Sequence, residues 1–232
     1  MICAVIPARK NSKRIPDKNI VKVNGKPLIQ HTIDFCNNTD IFPEVFISTD
    51  CAKIADFSSG LVSSPFLRPP ELASDFSKDP EWLEHFIKWL ISEQKHYSHI
   101  MILRPTSPIR PPLLIKKAIQ LALSENLSLR SVTEVPKKMS PEWLIGGSGR
   151  YGTEYIQNGF QIRSQDLQKY FYPNGLFDIV CVEHFLTSND MYGTNFLIQE
   201  VPRFLLNDID TAEDLRNMEK QWEKLQSRAS EL

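Results

Sequence analysis

A run of five apolar residues, Ile2-Cys3-Ala4-Val5-Ile6, delivers the chain straight into Pro7-Ala8-Arg9-Lys10-Asn11-Ser12-Lys13-Arg14-Ile15-Pro16-Asp17-Lys18-Asn19, a loop with five basic side chains and one acid, Asp17. An apolar run this short reads as a buried strand, and the loop that follows reads as a strand-end turn. Parallel sheets gather phosphates at the carboxyl ends of their strands, where backbone amides and cations surround negative oxygens, so the pattern predicts a polyanion site, first of all for a triphosphate. No glycine precedes Gly25, so neither G-x-G-x-x-G nor G-x-x-x-x-G-K-[ST] is present. Arg9, Lys13, Arg14 and Lys18 must then supply as side chains what a glycine-rich loop supplies as close-packed amides. A solvated basic turn is the competing reading of the same charges.

Composition limits the alternatives. The 232 residues suffice for one large α/β domain with a sizeable core. The formal net charge of -1 provides no global field to draw nucleic acid or a membrane surface, so the basic loop is a local feature. The first apolar run stops at Pro7, too short for a signal-peptide core or a membrane span. Cys3, Cys36, Cys51 and Cys181 show neither C-x-x-C nor metal-ligand spacing, a usage that suits a reducing cytoplasm. The five histidines form no zinc pattern.

A β-then-α rhythm runs along the chain. Helices are predicted over 28–37, 51–58, 80–95, 112–124 and 211–227, and strands over 44–48, 61–63, 99–103, 128–135, 175–182 and 196–201. Leu83, Phe86, Ile87, Leu90 and Ile91 repeat with helical spacing behind Pro80, which makes Trp82 and Trp89 packing residues. The rhythm implies a Rossmann-like, mostly parallel sheet with helices on both faces, in a single domain spanning 1–232. Between 136 and 172 it breaks. The turn cluster Gly146 to Gly152, flanked by Trp143-Leu144-Ile145 and Thr153-Glu154-Tyr155-Ile156, reads as an inserted hairpin and a candidate dimer contact. A mobile surface flap is the alternative.

Three further segments carry chemistry. In Asn207-Asp208-Ile209-Asp210-Thr211 the i and i+2 side chains of an extended segment point the same way, so Asp208 and Asp210 can converge on a hard cation, Mg2+. The alternative is that Asp210 or Thr211 caps the last helix. The loop Arg104-Pro105-Thr106-Ser107-Pro108-Ile109-Arg110 offers hydroxyls and arginines on a proline-stiffened backbone, suited to a polar, anionic substrate. Phe66 to Asp75 is a loop with too little apolar content for the core, and Arg68 is its natural phosphate or base contact.

Taken together, these residues resemble the CMP-sialic acid synthetases, the acylneuraminate cytidylyltransferases. The resemblance rests on A-R-x-N-S-K-x-x-P-x-K-N (Ala8 to Asn19), Ser48-Thr49-Asp50, Leu67-Arg68-Pro69-Pro70-Glu71-Leu72-Ala73-Ser74-Asp75, Pro105 to Arg110, Pro173-Asn174-Gly175, and Asp208-Ile209-Asp210-Thr211, all in the same order. It implies that Arg9 and Lys18 are triphosphate ligands, with Ala8, Ser12, Lys13 and Asn19 alongside. Arg68, with Asp75 near it, is implied as a nucleotide contact, and Asp208 and Asp210 as the magnesium pair. Thr106, Ser107, Asn174 and Gly175 are implied to face the sugar acid, and a homodimer to form through the hairpin region. The chain departs from the pattern at Arg104, a sugar-side position where glutamine is common, at Ser164, and at Asp79, where a hydroxyl residue is usual.

The expected reaction is in-line attack of the anomeric hydroxyl of a nonulosonic 2-keto sugar acid on the α-phosphorus of CTP, giving the CMP-sugar and pyrophosphate. Legionaminic, pseudaminic and 3-deoxy-manno-octulosonic acids are alternative acceptors. A non-catalytic nucleotide-binding regulatory module is the reading from another class, disfavoured by a metal pair that binding alone does not need.

Overall fold

A computed structural model describes residues 1–231. Its strands are β1 (Ile2–Pro7), β2 (Lys22–Val23), β3 (Lys26–Pro27), β4 (Val45–Ser48), β5 (Val62–Ser63), β6 (His99–Ile102), β7 (Leu129–Glu134), β8 (Ile145–Ser148), β9 (Tyr151–Glu154), β10 (Phe171–Cys181) and β11 (Leu197–Glu200). Its α-helices are α1 (Leu28–Thr39), α2 (Ala52–Ala55), α3 (Asp79–Ser92), α4 (Pro112–Glu125), α5 (Val182–Ser188) and α6 (Ala212–Ser230). Seven strands form one sheet in the order β11-β7-β10-β6-β1-β4-β5. Every neighbouring pair is parallel except those made by β10, which runs antiparallel to both β6 and β7.

Strand β1 shows why helices cover both faces. Its side chains alternate by the strand period, so Ala4 and Ile6 enter a core with Leu28, Ile29 and Ile33 of α1, Ile115 and Ala118 of α4, and Trp222 of α6. Cys3 and Val5 enter the opposite core with Trp82, Leu83, Phe86 and Leu90 of α3 and Phe185 of α5. A strand apolar on both faces can lie only inside such a sandwich, and β1 sits centrally between β4 and β6. Its carboxyl end therefore opens into the middle of the strand-end crevice.

The α/β expectation holds, with local differences. Strand β10 begins at Phe171 rather than 175 and tolerates Pro173 because its register shifts between Pro173 and Asp178. There the backbone turns through Gly175 at φ +74, a left-handed conformation that glycine adopts without strain. Helix α5 and the β2–β3 hairpin are too short for periodicity to reveal. Helix α3 starts at Asp79 and ends at Ser92. Strands β8 and β9 pair antiparallel within the stretch that joins β7 to β10. Among the described residues no helix is long and apolar enough to cross a membrane.

Candidate active site

The loops that leave β1, β5 and β6 meet, with the start of α3, around a cleft of about 440 Å³, lined by Arg9, Lys18, Asn19, Arg68, Asp75, Asp79, Arg104 and Thr106 among others. The basic loop is pinned at both ends. The Ala8 amide donates to the Ser48 carbonyl at 3.0 Å, extending the β1–β4 pairing, and the Lys10 amide donates to Asp50 at 2.7 Å. Farther on, the Asn19 side-chain amide donates to the Arg9 carbonyl at 2.9 Å, so the buried Asn19 closes the loop on itself.

Each of the four candidate cations meets one of two carboxylates. Arg9 and Lys13 reach Asp75 at 2.8 and 3.1 Å. Lys18 and Arg14 reach the two oxygens of Asp210 at 2.9 and 3.0 Å. The Lys18–Asp210 pair joins residues 192 apart in sequence, bringing Asp210 against the basic turn, while Asp208 lines an adjoining hollow with Asn207 and Asp214.

The aspartate segment is held from below. Ile209 is fully buried and its amide donates to the Thr106 carbonyl at 2.8 Å, so Asp208 and Asp210 flank an anchored residue. The cap of α6 is Thr211, whose hydroxyl accepts from the Asp214 amide at 3.2 Å while Asp214 accepts from the Thr211 amide at 2.7 Å. Neither aspartate carboxylate is spent on capping. Desolvation among these loops pushes the Asp208 carboxyl up; a bond from the Thr106 hydroxyl opposes that, and the like charge of Asp210 adds to it.

Arg68 is 4% exposed and has no carboxylate at salt-bridge distance among the described residues. It donates to the Ser48 hydroxyl at 3.2 Å and the Ser48 carbonyl at 2.7 Å, and its guanidinium lies 5.1 Å from the centre of the Trp82 ring. Burial lowers it to about 10, the charges of Asp50 and Asp79 offsetting only part of that cost. A desolvated guanidinium edging an open cleft is chemically suited to receive an anion.

Other expected site residues have different surroundings. Ala8 is buried and its amide is taken by the sheet; Ser12 is half-buried outside the cleft lining. Ser107 is buried, its hydroxyl 3.4 Å from the Gly175 carbonyl, which ties the β6 loop to the β10 turn. Asn174 accepts from the Ser131 hydroxyl at 2.6 Å and the Leu176 amide at 3.1 Å and donates to Thr133 at 3.0 Å, bracing β10 on β7. These three shape the wall rather than line the cleft.

One residue read as packing belongs here, and one expected to face the substrate does not. Trp82 lines the cleft as well as the core. Arg110 is buried and donates to Leu176 at 3.2 Å, to Thr32 at 3.0 Å and to the Arg104 carbonyl. The arginine expected to hydrogen-bond an anionic substrate is instead a brace between the β6 loop, β10 and α1, outside the cleft lining.

A mostly parallel sheet whose strand-end cleft is edged by cations and an aspartate pair defines the class: a Rossmann-like α/β nucleotidyltransferase. A family model described as cytidylyltransferase matches residues 3–139. The chain is 31% identical over 92% of its length to an N-acylneuraminate cytidylyltransferase of Streptococcus agalactiae, of which it spans about half, 51%. It is 29% identical to a pseudaminic acid cytidylyltransferase of Campylobacter jejuni, covering 91% of each chain. It is 32% identical to a CMP-N,N'-diacetyllegionaminic acid synthase of Legionella pneumophila, over 92% of this chain and 90% of that one. The solved structure of a CMP:2-keto-3-deoxy-manno-octonic acid synthetase complexed with CTP shares the fold, with a TM-score of 0.68 at 15% identity over 96% of this chain and 98% of that one. The chain belongs to the cytidylyltransferase family.

Proposed function

We propose that this chain activates a nonulosonic, sialic-type 2-keto sugar acid with CTP, releasing pyrophosphate and forming the CMP-sugar, and that residues 1–232 act as one nucleotidyltransferase unit. The observation that carries this reading is the 2.9 Å contact of Lys18 with Asp210, which unites the triphosphate loop and the acidic pair. Relatives named for three different sugar acids support the reaction class and leave legionaminic and pseudaminic acids as alternatives. The fold of the octulosonic acid synthetase adds a third alternative acceptor.

In this mechanism Arg9, Lys13 and Lys18 take phosphate oxygens in exchange for Asp75 and Asp210, and Arg68 takes a nucleotide oxygen without giving up any carboxylate. Asn19 keeps the loop closed so that these donors are in position beforehand. The acceptor hydroxyl attacks the α-phosphorus in line, and the cations stabilise charge as it spreads toward the leaving pyrophosphate. Positioning and electrostatics thus provide the acceleration without a covalent intermediate.

Asp208 and Asp210 fit a hard divalent cation. Two carboxylates flank one anchored residue, and mutual repulsion helps to raise Asp208, a cost that a bound cation removes. Asp208 and Asp210 are the two residues that would hold the ion, since among the described residues no group of three or more His, Cys, Asp or Glu gathers to hold a metal. When bound, Mg2+ adds positive charge beside the phosphates.

The β8–β9 segment within 136–172 leaves Ile145, Tyr151 and Tyr155 at 68%, 85% and 68% exposure, an apolar surface that supports a homodimer through this element. Four free cysteines support a cytoplasmic setting. The test is pyrophosphate release from CTP and Mg2+ with a panel of sialic, legionaminic, pseudaminic and 3-deoxy-manno-octulosonic acids. Turnover with one of them is expected; CTP binding with no acceptor turned over would favour the regulatory module instead.

A further inference from the structure

Arg110 turns away from the catalytic cleft into a second cavity. That cavity, about 370 Å³ in volume, lies where α1 and α6 face the loop from Pro108 to Pro112, and it shares no lining residue with the cleft. Arg110 is 4% exposed, and no carboxylate among the described residues lies at salt-bridge distance from it. Three neutral acceptors hold its guanidinium: the Leu176 carbonyl at 3.2 Å, the Thr32 hydroxyl at 3.0 Å and the Arg104 carbonyl. They occupy three of its five N–H donors and supply no counter-charge. Burial accordingly lowers it to about 10.

The rest of the cavity adds no net charge. Lys26 and Asp34 pair at 2.6 Å. His31 donates from Nε2 to the Val23 carbonyl at 2.8 Å, and burial lowers it from an ordinary histidine value, so it is neutral at pH 7. One positive charge is left, on the loop side, where Pro112 opens α4 and the helix dipole is positive. The carboxyl ends of α1 and α6, where the dipoles are negative, stand farther off: Thr32 precedes Asn38, which lines the cavity, by about 9 Å along α1. Phe35, one turn beyond Thr32, and Trp222 of α6 supply apolar surface between the two ends.

We propose that this cavity is a ligand site for a small organic monocarboxylate, with its carboxylate on Arg110 and its uncharged, largely apolar body against Phe35 and Trp222. One excess positive charge matches a monoanion, whereas a phosphate dianion would leave a buried negative charge uncompensated. The volume falls within the range of small-molecule sites, about 300–1,000 Å³. Three bonds already fix the guanidinium, so binding costs little side-chain ordering. The site is separate from the catalytic cleft and does not depend on which sugar acid the chain activates.

Isothermal titration of the intact protein with benzoate, benzamide and inorganic phosphate tests this. Benzoate is expected to bind one site per chain, and both benzamide, which has the same shape without the charge, and phosphate are expected to bind about tenfold more weakly or worse. Asn38→Asp and Gln226→Glu each place a negative charge on the cavity rim, at exposed positions that make no side-chain hydrogen bond among the described residues. Both are expected to fold normally and to weaken benzoate by about threefold or more. Arg110→Met, where a thermal melt shows it folded, is expected to lose the binding; the rim variants decide the matter without it. No saturable benzoate binding up to about 10 mM overturns the proposal, as does equal affinity for benzoate and benzamide. Phosphate binding as tightly as benzoate overturns the monocarboxylate class. Benzoate affinity unchanged in both rim variants overturns the location, since the anion then sits elsewhere, as in the catalytic cleft.

Discussion

Replacing Lys18 with alanine separates a cation that does chemistry from one that decorates the surface, because Arg14 binds the same carboxylate at nearly the same distance. Lys18 lies 2.9 Å from Asp210 with 13% of its side chain exposed, whereas Arg14 lies 3.0 Å away with 61% exposed. The gross attraction of a pair this close exceeds about 4 kcal/mol at an effective dielectric near 20, but desolvation and side-chain entropy cancel most of it. A net loss of about 1–2 kcal/mol is the structural expectation for Lys18→Ala, or about 2–8 °C in melting temperature for a chain of this size. Arg14→Ala should cost less than about 1 kcal/mol. The catalytic effect is larger: one removed charge-stabilising donor costs about tenfold to a thousandfold in turnover, equivalent to about 1.4–4 kcal/mol of barrier. Arg14→Ala should stay within a few-fold of wild type. Pyrophosphate release at saturating CTP and acceptor, beside a thermal melt of each variant, reads both quantities. Near-normal turnover in folded Lys18→Ala, or equal losses in the two variants, would refute the assignment of Lys18 to the leaving phosphates.

Three other outcomes follow from the site and the hairpin. Arg68→Met should melt at or above the wild-type temperature without nucleotide, because it removes a buried charge that Asp50 and Asp79 offset only in part while the Ser48 carbonyl keeps its bond from Ala8; KM for CTP should rise by about tenfold or more, and a lower melting temperature with unchanged KM would count against it. Because the folded chain raises Asp208 above its unfolded value, the stability present below the ordinary carboxylate pKa is lost as pH rises through the raised one. Metal-free Asp208→Asn should therefore melt no lower than wild type at pH 7 and lose this advantage in acid, yet turn over about tenfold more slowly or worse; melts at both pH values check the sign. The proposed homodimer should be seen in sedimentation of the wild type and lost once Ile145→Asp puts a charge on the exposed hairpin; a monomeric wild type or a dimeric variant would contradict it.

The sheet, its two helical layers and the basic strand-end loop were legible in the sequence because each is a local pattern. Cys3 and Val5 against Ala4 and Ile6 already state that β1 is buried twice over, and five cations after such a strand already point to the anion site proposed at its end. What needed the third dimension was the pairing of those charges. No spacing reveals that Lys18 meets Asp210 across 192 residues, that β10 enters antiparallel between β6 and β7, or that Arg104 and Asp79 satisfy each other. Periodicity is carried by neighbours along one backbone, whereas ion pairs and strand order are decided when distant segments compete for the same buried space. A charge's partner therefore exists only once the sheet has closed.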